Sequence, residues 1–194
     1  MEAEPLDREA LVKRMKTGSK PRFLLFWGHT SPPNAPVGKA CLSQWFLAPF
    51  VLEGKSYPTA EHYMMEQKAL LFEDHQAATR ILSSAHPGKA KELGRHVRGF
   101  DEITWEKERF RIVAEGSYGK FSQNPILFAF LLGTQGRVLV EASPKDTIWG
   151  IGLAEKDPRA LDPNRWRGLN LLGFALMHAR ARLLTERAPA EGSA

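Results

Sequence analysis

The sequence predicts a single domain of the α+β class, predominantly helical with a small sheet. The chain has 194 residues, of which 43% are hydrophobic, so it is long enough to bury one continuous core. Segments rich in helix formers outnumber the short β-prone runs along the chain. Because those β-prone runs are few and scattered, a small sheet is favoured over a doubly wound one.

The expected strands are short apolar runs bounded by turn residues. They cover residues 23–27, 45–52, 55–57 and 137–142. Glu53-Gly54 lies between the second and third runs and predicts a hairpin turn there. Residues 29–39 contain three prolines and predict an irregular loop over the surface.

The expected helices begin at capping residues and carry strong helix formers. They cover about residues 60–72, 74–83, 87–95, 104–121, 125–132 and 166–184. Thr59 is a good N-cap for the first of them, because Pro58 keeps the preceding residue extended. Residues 1–20 and 187–194 are polar or small and are expected to be flexible tails, which leaves 21–186 as the domain.

Charge and cysteine content narrow the class of protein. Lysine and arginine exceed aspartate and glutamate by 27 − 22 = 5, and this mild excess suits a phosphate-bearing ligand. The basic residues are interleaved with acids, as on a solvated surface, which favours a small-molecule partner over a nucleic-acid groove. The single cysteine, Cys41, has no partner for a disulfide, and neither a signal sequence nor an apolar run long enough to span a membrane is visible. We therefore expect a cytoplasmic protein without membrane contact.

Glu61 is the first candidate for chemistry. Walker A, GxGxxG, GxSxG, HExxH and paired CxxC motifs are absent, and no histidine spacing indicates a metal site. If Thr59 caps the helix, Glu61 occupies its second position, where the helix dipole favours a carboxylate. Glu61 and Lys68 are seven residues apart and share one helix face, within reach of one polar ligand. The alternative is an ordinary first-turn acid on a solvated face.

The second candidate is the glycine-rich loop after the strand at 137–142. Asp146 and Trp149 lie in it, where ligand-binding groups are commonly placed. Trp149 could stack on a planar base, while Gly150 would let the backbone approach the ligand closely. Alternatively, Asp146 caps a turn and Trp149 fills the core.

A set of motifs in fixed order resembles the YbiA-like, or NADAR, family over about residues 23–184. The motifs include Leu42-Ser43-Gln44-Trp45-Phe46, Tyr57-Pro58-Thr59-Ala60-Glu61-His62-Tyr63, Lys120-Phe121, Leu139-Val140-Glu141-Ala142-Ser143-Pro144, Trp149-Gly150-Ile151-Gly152 and the segment from Asn170 to Met177. The resemblance implies a YbiA-like fold and hydrolysis of a C1–N glycosidic bond. It assigns the family's acids to Glu61 and Asp146 and its loop tryptophan to Trp149. Many members have Ser-Asn-Phe where this chain has Ser43-Gln44-Trp45, so the displaced amide of Gln44 bears on base specificity.

Members of that family cleave ribose phosphate from pyrimidines of early riboflavin-pathway intermediates, and others remove ADP-ribose from guanine in nucleic acid. The resemblance therefore predicts an N-glycosidase in which Glu61 faces the sugar cation and activates water. Asp146 would assist, Trp149 and Gly150 would contact the base, and Lys68, Gln44 and Asn170 would bind the remaining substrate groups. No metal or redox cofactor is expected, since water suffices for hydrolysis. The alternatives are ADP-ribosylguanine hydrolysis and a non-catalytic module that binds ADP-ribose or a nucleotide.

Overall fold

The computed structural model describes residues 5–32 and 35–187. Within these ranges the helices are α1 (Arg8–Lys16), α2 (Ala60–Leu71), α3 (His75–Leu82), α4 (Pro87–Arg95), α5 (Glu102–Ser122), α6 (Pro125–Leu132) and α7 (Leu171–Arg187). The strands are β1 (Arg22–Phe26), β2 (Phe50–Leu52), β3 (Lys55–Tyr57) and β4 (Arg137–Glu141). The predicted α+β class with few strands is confirmed.

The strands form two small sheets of two strands each. Strands β1 and β4 pair in parallel, with Phe26 opposite Glu141, and β2 and β3 form the predicted hairpin. Because parallel strands end at the same edge of a sheet, residues after Phe26 and Glu141 emerge side by side. Trp27, the first residue beyond β1, is 62% exposed at this edge.

The helices pack around β4 and α2. Helix α5 lies against α7, which also covers β4, and α2 contacts α3, α4 and α5. Gly173 permits the close approach of α7 to β4, because a side chain there would overlap the Leu139 carbonyl oxygen. Consequently α2 has little free surface, and the residues from Ala60 to Glu66 are all buried.

Helix α2 begins as the sequence predicts. Thr59 is its N-cap, with an extended backbone and a side chain that accepts from the His62 N–H at 3.4 Å. The Thr59 hydroxyl also lies 2.8 Å from Nδ1 of the His62 ring. This double contact fixes the first turn, on which Glu61 stands.

The predicted start of the last helix was wrong. It was expected near Trp166, but α7 begins at Leu171. The N–H groups of the preceding residues bind carbonyl groups of the loop after β4 instead. Leu169 donates to the Thr147 carbonyl and Asn170 donates to the Gly150 carbonyl. This pairing with a distant loop holds the segment out of a helix.

The predicted tails also need correction. Residues 1–20 were expected to be flexible, yet α1 lies within them and its Leu11 is 1% exposed in the core. The Arg8 side chain adds a tie, since its Nε donates to the Pro163 carbonyl at 2.7 Å. The tail expected over 187–194 lies outside the described residues except for Arg187, which ends α7. In the described part of the chain, no helix is both long and apolar enough to cross a bilayer.

Candidate active site

Three acidic side chains interact electrostatically where β4 ends. Glu61 comes from the first turn of α2, Glu141 is the last residue of β4, and Asp146 lies in the loop that follows. Their charges influence one another, because Asp146 raises the pKa of both glutamates and Glu61 raises that of Glu141. The structure thus brings together the two predicted acids and adds a third.

Glu61 is buried with only part of its side chain satisfied. It is 2% exposed, and Oε1 has no hydrogen-bond partner. Burial is the main reason that its pKa rises to about 7, against the opposing effects of Lys91 and a hydrogen bond from Trp45. Its backbone N–H donates to the Gln44 carbonyl at 3.0 Å, which holds the two segments together. Desolvation outweighs the helix dipole from which an ionised Glu61 was expected.

Glu141 was missed as a site residue from the sequence. Its Oε2 is buried without a hydrogen-bond partner, and its pKa rises to about 8, first through burial and then through the charge of Asp146. The signal that could have found it is a carboxylate ending an otherwise apolar strand, Val138-Leu139-Val140, next to a glycine-rich loop.

Asp146 organises the loop that carries Trp149. Its Oδ1 accepts from the N–H groups of Ile148 at 2.9 Å and Trp149 at 2.7 Å. The turn-capping alternative for Asp146 is therefore correct, and its charge nevertheless reaches the glutamates. Trp149 is half-buried and packs against the core, in line with the alternative that it fills the core. A stacking role for Trp149 stays a prediction.

A basic and aromatic wall faces the acids. The Trp45 ring lies 5.3 Å from the His29 ring and 5.9 Å from the His86 ring. The Lys91 ammonium lies 5.9 Å from the Trp45 ring centre. Lys91 and Arg95, one turn apart on α4, both lower the pKa of Glu61. The position of α4 beside these acids depends on tertiary packing and could not be predicted from the sequence.

Lys68 does not join this cluster. Its ammonium donates to the Gly94 carbonyl at 2.9 Å and lies 4.1 Å from the centre of the Phe100 ring. Neighbouring helices cover α2 and direct Lys68 to their own groups, so the structure does not bring Lys68 together with Glu61, and its role in binding substrate stays a prediction.

Gly150 and Asn170 support the site from behind. A side chain at Gly150 would meet the Glu141 and Asp146 carbonyl oxygens at 2.9 and 3.0 Å, so tight packing of the loop accounts for the glycine. Asn170 is fully buried; its Oδ1 accepts from the Glu141 N–H and its Nδ2 donates to the Leu139 carbonyl, both at 2.9 Å. These contacts hold the loop and the end of β4 in place, and the predicted contact of Gly150 and Asn170 with substrate stays a prediction.

Gln44 keeps a free polar atom. The residue is 7% exposed; its Nε2 reaches Ser117 Oγ at 3.5 Å, while Oε1 is buried without a partner. Its backbone carbonyl accepts from Glu61, so it lies beside the acidic cluster. The predicted substrate contact therefore stays open for this side chain.

Known proteins resemble this chain in sequence and in fold. The NADAR domain model matches residues 25–184. The chain is 46% identical over 149 residues to N-glycosidase R617 of Acanthamoeba polyphaga mimivirus, spanning 74% of this chain and 88% of the relative. It is 32% identical over 139 residues to N-glycosidase YbiA of Escherichia coli (strain K12), spanning 72% of this chain and 78% of YbiA.

A third relative and a solved structure extend the comparison. The Riboflavin biosynthesis protein PYRR, chloroplastic, of Zea mays is 35% identical over 136 residues, which are 66% of this chain and 20% of the plant protein. The NMR structure of E. coli YbiA shares the fold with a TM-score of 0.68 at 24% identity, covering 97% of this chain and 98% of that one. The ordered motifs, the fold and the family match lead to one conclusion: this chain belongs to the NADAR domain family.

Proposed function

We propose that this N-glycosidase hydrolyses the C1–N bond between a phosphorylated ribose and a pyrimidine-like base. The observation that carries the proposal is Glu61, a buried carboxyl with an unpartnered oxygen in a cluster of acids. Leaving such a group unpaired costs free energy, which a purely structural glutamate has no reason to incur. The carboxylate of Glu61 would stabilise the positive charge of the transition state.

The proposed reaction passes through an oxocarbenium-like sugar. As the C1–N bond lengthens, the Glu61 carboxylate faces the positive charge at C1 and accepts a proton from the attacking water. A pKa of about 7 suits this role, because the group is partly ionised at neutral pH and its carboxylate is basic enough to accept a proton from water. Asp146 would bind ribose hydroxyls through its outer oxygen.

The wall of α4 supplies the substrate's phosphate contact. Lys91 and Arg95, rather than Lys68, would bind the phosphate. Both lie close enough to Glu61 to lower its pKa, and Arg95 is exposed. Trp149 would stack on the base, and the free Oε1 of Gln44 would accept from a base N–H. These side chains are the proposed source of specificity.

The specific substrate proposed is an intermediate of riboflavin biosynthesis. It is supported by the name of the maize relative and by the resemblance to a family that acts on such intermediates. The alternative substrate is guanine carrying ADP-ribose, whose phosphates Lys91 and Arg95 would serve equally well. A module that binds ADP-ribose without cleaving it is the remaining alternative.

Glu61→Gln tests the reaction. Wild-type protein is incubated with a ribosylaminopyrimidine 5-phosphate and with ADP-ribosylguanosine, and free base is quantified by mass spectrometry. Glu61→Gln should lower kcat by at least about a hundredfold, the lower range for loss of an acid–base group. Glu66→Gln is the control: Glu66 is also buried in α2, but its oxygens are paired with Lys55 at 2.6 Å and Tyr57 at 3.3 Å.

The outcomes separate the alternatives. Turnover of the pyrimidine alone supports the proposed substrate, and turnover of the guanosine alone replaces it. Tight binding of ADP-ribose without product from either compound would establish the binding module. Near wild-type turnover in a folded Glu61→Gln protein would contradict the role of Glu61.

A further inference from the structure

We propose that Glu141 is a catalytic residue that delivers the proton to the departing base. This inference rests on the proposed function and names a residue that neither the sequence nor the resemblance assigned to the reaction. It answers a need of the chemistry: an amine leaves a sugar poorly unless its nitrogen is protonated as the bond breaks.

The backbone of Glu141 is held on both sides. Its N–H is bound by the Asn170 side chain at 2.9 Å, and its carbonyl accepts from Ile151 at 3.0 Å. The next residue, Ala142, donates to the Phe26 carbonyl at 2.9 Å, so the pairing with β1 continues past the strand end. The carboxyl is therefore carried by a rigid strand end, while its Oε2 is buried and free of any protein partner.

The charges around Glu141 favour a protonated carboxyl. Asp146 from the loop and Glu61 from α2 face it with negative charge, and Lys91 from α4 opposes them. Burial acts in the same direction as the two acids, so the pKa of Glu141 rises to about 8 and the group carries its proton at neutral pH. A protonated, unpartnered carboxyl oxygen is a proton donor awaiting an acceptor.

The other two acids fit different tasks. Asp146 uses Oδ1 to accept from the N–H groups of Ile148 and Trp149, so its task is to hold the loop in place. A hydrogen bond from Trp45 and the charge of Arg95 lower the pKa of Glu61 and favour its carboxylate, whereas the charges of Asp146 and Glu61 raise the pKa of Glu141 and favour its protonated form. Paired acids whose environments separate their pKa values take acid and base roles.

The proton balance closes within the pair. As C1–N breaks, the electron pair goes to nitrogen, which takes the proton of Glu141 and leaves as a neutral amine. Water then bonds to C1 and gives its proton to Glu61. The sugar gains a hydroxyl, Glu141 is left ionised, and transfer of the Glu61 proton to Glu141 restores the starting state without any further reactant.

The leaving group provides the test. We compare a ribosylaminopyrimidine 5-phosphate with 4-nitrophenyl β-ribofuranoside 5-phosphate, whose nitrophenolate departs without protonation. Glu141→Gln should lower kcat on the amine about 10²–10⁴-fold and stay within about tenfold of wild type on the nitrophenyl compound. Glu141→Asp, which keeps an acid, should recover part of the loss on the amine, and Glu66→Gln should not distinguish the substrates.

The wild-type pH profile gives a reading that needs no variant. The kcat/KM for the amine should fall as the pH rises through about 8, where Glu141 loses its proton, and the fall should be absent with the nitrophenyl compound. Equal losses on both substrates in Glu141→Gln, or a basic limb shared by both, would overturn the proton-donor role alone. A wild-type protein inactive on both would overturn the proposed function, and this inference with it.

Discussion

Glu61→Gln is expected to stabilise the fold at alkaline pH while it abolishes turnover. The carboxyl is 2% exposed and Oε1 has no partner, so its ionised form is disfavoured in the folded state. In the unfolded chain the same group is in water and ionises freely. A neutral amide of the same shape removes this conflict, and the gain should appear only where wild-type Glu61 would otherwise be forced to ionise.

The sign and size follow from the pKa. Folding raises the pKa of Glu61 from 4.5 to about 7, so the folded state holds a proton that the unfolded state releases between these values. The stabilising contribution of the protonated carboxyl is complete below pH 4.5 and is lost as the pH rises through 7. At about 1.4 kcal/mol per pH unit, the loss amounts to about 3 kcal/mol. The stability of Glu61→Gln relative to wild type should increase by about that amount from pH 4.5 to pH 8.

Urea denaturation at a series of pH values measures this difference directly. Comparing the variant with wild type at each pH cancels every other titrating group that the substitution leaves unchanged, and it separates the charge effect from any packing difference of the amide. Removing the Glu61 charge also lowers the pKa of Glu141, which adds to the gain. Glu66→Gln, which breaks the contact with Lys55, should instead lower stability. A Glu61→Gln difference that stays constant with pH, or falls as the pH rises, would refute the reasoning.

Two further substitutions test how the site is supported and tuned. Asn170→Gly tolerates the backbone φ of 57° but removes the amide bound to Glu141; in urea denaturation the free energy of unfolding should fall by roughly 1–3 kcal/mol for each of the two backbone groups left unpaired. An unchanged unfolding midpoint would contradict that role. Lys91→Met should move the acidic limb of the kcat/KM profile to higher pH, because Lys91 lowers the pKa of Glu61. Lys89→Met, exposed on the same helix, should leave the limb in place, and equal shifts would contradict the assignment.

Local signals predicted the elements that depend on local interactions. The N-cap at Thr59 and the start of α2 follow from a few neighbouring residues, and the structure confirms both. The hairpin between β2 and β3 likewise follows from its Glu-Gly turn. The start of α7 could not be predicted in this way, because the segment before Leu171 is held by hydrogen bonds to a loop some twenty residues away.

The electrostatics of the site depend on distant contacts for the same reason. The position of Glu61 in a helix's first turn suggested an ionised group, and only its burial by the assembled fold reverses that expectation. Lys68 lies seven residues after Glu61 on α2, yet its ammonium donates to the Gly94 carbonyl of α4 instead of joining the site. Glu141 belongs to the site because the fold places the end of β4 beside the end of β1 and near Glu61 of α2, which its local sequence does not reveal.

The three acids together favour an enzyme over a binding module. A ribose hydroxyl can be held by solvated polar side chains at little cost to the fold. Glu61 and Glu141, each with a buried, unpartnered oxygen and a raised pKa, lower stability at neutral and alkaline pH instead. Function commonly retains such destabilising groups at the point where chemistry needs them. In the proposed reaction they act as a proton acceptor and a proton donor, which hydrolysis of a C1–N bond requires.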